Sequence, residues 1–171
     1  ASNRAESYAR SVSGVETAAD VRVLPAFLKY LRATTDKLGE GLALYRAAAL
    51  RSPEAKRARS LREVIVAEQI ERMLQSDHAI LEFEDLRLQV HAETDASKAN
   101  TLLDRLQAIV TEEIVRTEQS LLAVERDSRL GFQFETDYVF TPYSLREKLE
   151  VLHDTRDRQL PEYRAKLSAT Q

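Results

Sequence analysis

Apolar residues recur in alternating steps of four and three along the first third of the chain. The repeat comprises Leu24, Leu28, Leu31, Thr35, Leu38, Leu42, Tyr45 and Ala49. Such a repeat places one side chain per turn on the same face of an α-helix, and that face must be buried against another helix. The repeat therefore predicts helix-on-helix packing. Gly39 and Gly41 lie off this face, where they predict a close helix contact or a slight bend.

Helix start signals divide the rest of the first 126 residues. The first helix is expected to begin at Asp20, or nearer 24 because Pro25 suits a first turn. Ser52-Pro53-Glu54 predicts a second helix from 54 to about 91. Thr94 and Asp95 are alternative caps for a third helix over about 96–126. The predicted buried stripes are Leu61, Val66, Ile70, Leu74, Leu81 and Leu88 in the second helix, and Ala99, Leu103, Leu106, Val110, Ile114, Thr117, Leu121 and Val124, with a stutter at 106–114, in the third.

The helical pattern ends at about 127, where the period becomes two. Five of the eleven aromatic residues lie within positions 132–143, which predicts an extended aromatic segment at about 132–141. Gly131 tolerates positive φ and so suits a tight turn before that segment. A shorter C-terminal helix is expected to start at Thr141-Pro142, or slightly later if Ser144 and Glu147 form the capping box. Pro161 ends that helix or opens a further short one.

These elements predict an all-α fold. Short links between long helices favour antiparallel neighbours. We therefore expect an antiparallel bundle of three long helices plus a shorter C-terminal helix, with the extended aromatic segment before the last helix. The whole chain, 1–171, is expected to form a single helical domain, with 1–19 as a leading segment.

Composition excludes several classes of protein. There are 25 Lys and Arg against 28 Asp and Glu, so the charge is near balance and no nucleic-acid partner is implied. The chain has no Cys, which excludes disulfides and thiolate metal sites. No apolar run approaches the ~20 residues of a membrane span. Met73 is the sole Met, so we expect the chain to be a piece of a longer protein.

Two histidines are candidates for catalytic or metal-binding residues. Glu150 and His153 have the Glu-x-x-His spacing of di-iron bundles, but such sites need two copies of the motif, and exposed polar neighbours are the simpler interpretation. His78 continues the apolar stripe near Glu82, and it is either a metal ligand or general base, or a polar break paired across the bundle. The sequence has no phosphate loop or nucleophile elbow. We expect no catalytic residue, no metal and no cofactor, with a metalloenzyme based on His78 or His153 as a further hypothesis.

The aromatic segment carries the strongest candidate for a binding surface. Its aromatic rings alternate with Gln, Glu and Asp, a mixture that could stack on a sugar ring and bind its hydroxyls. The predicted substrate-binding residues are Arg129, Phe134, Glu135 and Tyr138. The alternative is that the rings close the end of the bundle as a lid, and that Arg129 and Asp127 close the end of the third helix.

A family resemblance starts at the same place. Asp127-Ser-Arg-Leu-Gly131, then Tyr138-Val-Phe-Thr-Pro-Tyr143 and Ser144-Leu-Arg-Glu-Lys-Leu149, resemble the C-terminal helical region of large bacterial glycoside-hydrolase-like proteins. That group is related to barrels of the α-glucuronidase and hexosaminidase types, and the specific part of the likeness covers about 25 residues. The resemblance implies a helical domain that follows a catalytic (β/α)₈ barrel. No barrel is encoded here, so no catalytic residue is carried over.

The expected function follows from that resemblance. We expect a non-catalytic accessory domain of a carbohydrate-active, glycoside-hydrolase-like protein, which packs on the catalytic barrel domain of the same polypeptide and contributes to polysaccharide binding. The resemblance implies an extracellular or periplasmic location. The alternative is a helical-bundle scaffold or protein-interaction domain with no role in sugar binding, which would use an exposed heptad face for a partner helix or for self-association.

Overall fold

A computed structural model describes the backbone of residues 18–133, 137–138 and 140–169, and the side chains of 23–131 and 140–167. The described chain is all-helical apart from one pair of two-residue strands, and its helices form the predicted bundle. In chain order the elements are α1 (Ala18–Leu50), α2 (Glu54–Ala92), α3 (Ala96–Arg126), a 3₁₀ turn (Ser128–Gly131), β1 (Phe132–Gln133), β2 (Asp137–Tyr138), α4 (Pro142–Asp154), a π turn (Thr155–Gln159) and α5 (Leu160–Ala169).

Side-chain capping fixes the start of α3, whereas α2 begins at Glu54 without a hydrogen bond from a capping side chain. The side chain of Asp95 caps α3 by accepting a hydrogen bond from the Lys98 N–H at 3.0 Å. Helix α1 is already formed at Ala18, so the predicted start nearer 24 is wrong and Pro25 lies inside the helix. A proline there removes one backbone hydrogen bond. Leu24 is buried beside it, and this packing helps to offset the loss.

Helix α2 lies between α1 and α3. One cluster of buried residues joins α1 to α2 through Leu42, Ala49 and Val64. Gly39 approaches α2 so closely that an added Cβ would lie 2.9 Å from Glu71 Oε1, whereas a Cβ on Gly41 would meet nothing within 4 Å. The predicted close contact thus holds at Gly39 only. Two further clusters join α2 and α3 to the C-terminal helices; their buried members are Val90, Leu103, Leu106, Val110, Ile114 and Leu160, and Ala123, Val124, Leu130 and Leu145.

The predicted stripe of α2 is buried only in part. Leu61, Val66, Leu74 and Leu81 are half-buried, whereas Ile70 and Leu88 are 49% and 40% exposed. The fully buried residues of the helix are Val64, Gln69, Ala79 and Val90. Because α2 packs on helices at two of its faces, its buried residues do not follow one apolar stripe.

The buried positions of α3 follow the four-three repeat more regularly than its apolar residues do. Its buried positions keep the four-three step throughout: Ala99, Leu103, Leu106, Val110, Glu113, Thr117, Ser120 and Val124. Ile114 is buried beside this seam, and Leu121 is half-buried. The stutter predicted at 106–114 arises when the apolar Ile114 is taken in place of the polar Glu113. Three polar residues therefore occupy the middle of the bundle.

The C-terminal helix starts at the earlier of the two predicted positions. Thr141 Oγ1 accepts from the Ser144 N–H at 3.1 Å, and Ser144 Oγ accepts from the Thr141 N–H at 3.0 Å. Pro161 does not end the helix, because the π turn just before it continues the chain into α5. In that turn the Leu160 N–H bonds to the carbonyl of Thr155, five residues back.

The predicted extended segment is described only in part. Phe132 pairs with Tyr138 and Gln133 with Asp137 in an antiparallel register. The side chains of 132–139 lie outside the described residues, so the alternation of aromatic and polar faces stays a prediction. Phe140 is half-buried and packs on the cluster of Ala123, Val124, Leu130 and Leu145.

Candidate functional site

The segment after α3 leaves the bundle and returns to it through a narrow base. The Asp127 N–H bonds to the carbonyl of Ala123, and the Phe140 N–H approaches the carbonyl of Gly131 at 3.5 Å. A Cβ on Gly131 would lie 2.4 Å from the Phe140 carbonyl oxygen. Gly131 does not adopt positive φ, so the reason given for it by sequence is wrong. What the site requires is the absence of a side chain where two backbones meet.

Arg129 is engaged at this base. Its Nε donates to Asp127 Oδ1 at 2.9 Å, and its Nη2 donates to Asp127 Oδ2 at 2.5 Å, while the guanidinium remains largely exposed. Hydrogen bonds from the Arg129 side chain and backbone lower the pKa of Asp127 to about 2. Asp127 also ends α3, so this geometry agrees with the structural interpretation of the pair; a role for Arg129 in substrate binding stays a prediction.

The other three predicted binding residues are placed less fully. Phe134 and Glu135 lie outside the described residues. Tyr138 is described in its backbone, which pairs with Phe132, whereas its side chain is outside the described part. The structure therefore places the base of the segment and not its aromatic surface.

A second polar constellation, which we call the charged seam, lies in the middle of the bundle and consists of Ser76, Glu113, Arg116 and Lys148. Glu113 is 4% exposed. Its Oε1 accepts hydrogen bonds from Ser76 Oγ at 2.6 Å and from Lys148 Nζ, and its Oε2 accepts from Arg116 Nε at 2.7 Å. One carboxylate thus joins α2, α3 and α4.

The charge of Glu113 is stabilised by these contacts. Burial alone would raise the pKa of Glu113, but the charge of Lys148 and the hydrogen bonds from Lys148, Ser76 and Arg116 hold that pKa below its usual value. The pKa of Asp77 shifts in the opposite direction: desolvation raises it, the charge of Lys148 opposes this, and the charge of Glu113 adds to the rise. Glu113 is therefore the carboxylate that the cations of this layer neutralise.

A polar groove of about 500 Å³ lies on the neighbouring side of the bundle, between α1, α2 and α3. His78 lines it, with Nδ1 3.5 Å from Glu82 Oε2. Glu82 in turn accepts two hydrogen bonds from Arg105 of α3, at 2.9 and 3.0 Å. His78 is thus a polar break in the helix that is linked across the bundle through Glu82, as one of the two interpretations of the sequence predicted.

The electrostatics of the groove disfavour a charged imidazole. Desolvation lowers the pKa of His78; Glu82 opposes this, and Arg32, Arg105 and Arg116 lower the pKa further. Glu112 lies 3.3 Å from Arg105 and 4.0 Å from Arg116, so ion pairs connect the groove to the charged seam.

The Glu150 and His153 pair forms no visible metal centre. His153 Nδ1 lies 3.1 Å from Arg156 Nη2 and 4.0 Å from Asp157 Oδ2, and Glu150 is exposed. Within the described side chains there is no group of three His, Cys, Asp or Glu residues that could hold a metal ion. Across the same part of the chain, no helix combines the length and apolarity needed to cross a bilayer.

The charged seam was not predicted from the sequence. Its signal was present, because the four-three step that places Ala99 and Val110 also places Glu113, Thr117 and Ser120. The predicted stripe includes Thr117 but takes the apolar Ile114 and Leu121 in place of their polar neighbours Glu113 and Ser120. A polar residue at a seam position calls for a partner on a facing helix, which here is Ser76 or Lys148.

Comparisons with known proteins identify no relative of this chain. No family model, no curated protein and no solved structure matches it.

Proposed function

We propose that this chain is a non-catalytic helical accessory domain of a carbohydrate-active, glycoside-hydrolase-like protein. It packs on the catalytic barrel of the same polypeptide, and its aromatic segment contributes to a glycan-binding edge. The observation that carries the proposal is the closed base of that segment, where Gly131 meets Phe140 and Arg129 is bound to Asp127. A segment held at both ends by a rigid bundle is a usual place for binding residues.

The described geometry supports this proposal in a second way. The Thr141 and Ser144 capping box fixes the return of the chain into α4, and Phe140 is anchored in the bundle core. The residues between Gly131 and Phe140, including Phe134, Glu135 and Tyr138, supply the rings and the carboxylate that a sugar platform needs. The resemblance of 127–149 to glycoside-hydrolase-like proteins supplies the substrate class.

Titration calorimetry with the 171-residue chain tests the proposal. The probes are a panel of neutral and acidic oligosaccharides and the polypeptide encoded upstream of Ala1. Tyr138→Ala is expected to weaken binding about tenfold, the effect of a 1.4 kcal/mol loss. Tyr143→Ala is the matched control, because Tyr143 is a highly exposed aromatic just outside the segment. The proposal is wrong if the unaltered chain binds none of the probes, or if both variants weaken binding equally.

A scaffold or protein-interaction domain with no role in sugar binding is the second candidate, and a different surface favours it. Helix α1 packs on α2 through its buried seam, yet its outward side carries Val23, Phe27, Tyr30 and Leu44, which are 58%, 53%, 69% and 74% exposed. Large apolar residues aligned on one helix face are typical of interaction surfaces. This candidate predicts that α1 variants change association, whereas variants of the aromatic segment do not.

A further inference from the structure

The outward side of α1 carries a second four-three repeat. We call it the outer face and define it by Val23, Phe27, Tyr30, Thr34, Lys37, Gly41, Leu44 and Ala48. All eight residues are exposed. The outer face is displaced by one residue from the buried seam, so the same helix can pack on α2 and on another helix at once.

Residue size is distributed unevenly along the outer face. The bulky residues Val23, Phe27 and Tyr30 lie in the first half, whereas Gly41 and Ala48 lie in the second half with Leu44 between them. A Cβ on Gly41 would meet nothing within 4 Å, so there is open space at that turn. A helix that is large at one end and small at the other fits a second copy that runs in the opposite direction.

We infer that two copies of this chain associate through the outer faces of α1 as an antiparallel, two-fold symmetric pair. This inference deepens the second candidate function by naming the partner. When Thr34 faces the partner's Lys37, the two-fold axis brings Tyr30 against the partner's Gly41 and Phe27 against the partner's Leu44. Val23 then meets the partner's Ala48. Each large side chain lies opposite a smaller one or opposite open space, and each contact occurs twice.

Residue size favours the antiparallel direction over the parallel one. A parallel pair would set Tyr30 against the partner's Tyr30 and leave a void between the two Gly41 residues. The same residues therefore favour one direction of pairing and disfavour the other.

The buried area predicts a reversible dimer. The faces span about 38 Å at 1.5 Å per residue. Each aromatic side chain offers 150–250 Å², so covering the exposed half of four rings removes roughly 400 Å². Val23, Leu44 and the small residues bring the total toward the roughly 1,200 Å² at which stable interfaces begin. We therefore expect a reversible association that depends on protein concentration.

Sedimentation velocity over a concentration series tests the association, and Gly41→Gln is the decisive variant. In the monomer the introduced Gln side chain extends into open space. Because Gln also favours the helix more than the glycine that it replaces, the variant should be at least as stable as the parent chain. In the pair the Gln side chain fills the space of the partner's Tyr30, and dimerisation should weaken more than tenfold. Val151→Gln alters an exposed apolar residue of α4 and should leave the dimer unchanged.

Cross-linking tests the direction of the pair, because the chain has no cysteine of its own. Thr34→Cys and Lys37→Cys chains are mixed and oxidised. The antiparallel register predicts that the mixed 34–37 disulfide dominates, whereas dominant 34–34 and 37–37 products overturn it. A chain that stays monomeric overturns the inference, whether residues 1–17 or a different protein cover the face. The outcome of this experiment does not change the oligosaccharide titration proposed above, because that titration uses Tyr138→Ala and Tyr143→Ala, which alter another surface.

Discussion

The contact between Gly131 and Phe140 provides a quantitative test of the structure. In a Gly131→Ala variant the new Cβ would lie 2.4 Å from the Phe140 carbonyl oxygen, where ordinary contact begins at 3.4 Å. The two backbones must therefore separate by about 1 Å, which also breaks the weak hydrogen bond from the Phe140 N–H to the Gly131 carbonyl. The base of the aromatic segment should open.

The expected cost follows from these two changes. Forcing extra atoms into a packed site costs about 1–3 kcal/mol, and a lost hydrogen bond adds about 1 kcal/mol. The lower entropy of the unfolded alanine chain returns about 0.4–1 kcal/mol. We expect a net loss of about 1–3 kcal/mol, and a Tm lowered by roughly 2–12 °C for a chain of this size.

Two other glycines serve as matched controls. Gly41→Ala adds a methyl group to open space in a helix and should raise the free energy of unfolding by about 0.5–1 kcal/mol. Gly39→Ala meets only the mobile end of Glu71, so its effect should be near zero. Urea titrations in dilute protein measure all three variants. If Gly131→Ala is as stable as the parent chain, the described approach of Gly131 to Phe140 is wrong.

Three predictions concern the charged residues. Glu113→Ala should lower the free energy of unfolding by about 2–4 kcal/mol, because it leaves Lys148 and Arg116 without their buried partner. Glu112→Ala, at an exposed neighbour, should cost less than about 1 kcal/mol. Equal losses in denaturant titrations would contradict the role of Glu113 as the buried partner of both cations. Arg129→Gln should raise the pKa of Asp127 from about 2 toward 3.8, because it removes the side-chain hydrogen bonds and keeps the one from the backbone N–H. Carboxyl NMR shifts measure the titration, and an unchanged pKa would show that the Arg129 side chain does not bind Asp127. Burial lowers the pKa of His78, although Glu82 opposes the shift, so the unfolded chain binds a proton at this imidazole more readily than the folded chain does. The contribution of the neutral His78 to the free energy of unfolding is therefore present above pH 6.5 and is lost as the pH falls through the folded pKa. His78→Gln should flatten that part of the pH–stability curve, and an unaltered slope would exclude this role.

Much of the fold could be predicted because its signals are local. The caps at Asp95 and Thr141 form hydrogen bonds with residues three positions away. Because this signal is local, each helix starts at one of the two positions that the sequence predicts. The fully buried positions of α2 could not be found in this way. Burial of Gln69 and exposure of Ile70 depend on where α1 and α3 lie, which no local pattern of α2 contains.

The candidate sites differ in the same way: those formed by residues close in sequence could be predicted, and those formed by distant residues could not. His78 and Glu82 were recognised together because they are one helical turn apart. Glu113 was missed because its partners, Ser76 and Lys148, are 37 and 35 residues away in the sequence. The requirement at Gly131 also depends on a distant residue, Phe140, and so the sequence suggested backbone conformation where the structure shows a lack of space.

The π turn at 155–159 sets where the C-terminal helices tolerate a change in chain length. A π turn holds one residue more than an α-helical turn, so it accommodates that residue without rotating the residues beyond it. Deleting one residue within the turn would therefore restore a regular helix and leave Leu160, Tyr163 and Leu167 facing α2 and α3. Deleting one residue from the regular helix α4 would instead rotate everything beyond it by about 100° and turn these three side chains away from the core together. The position of a deletion in this segment thus matters more than the identity of the residue removed.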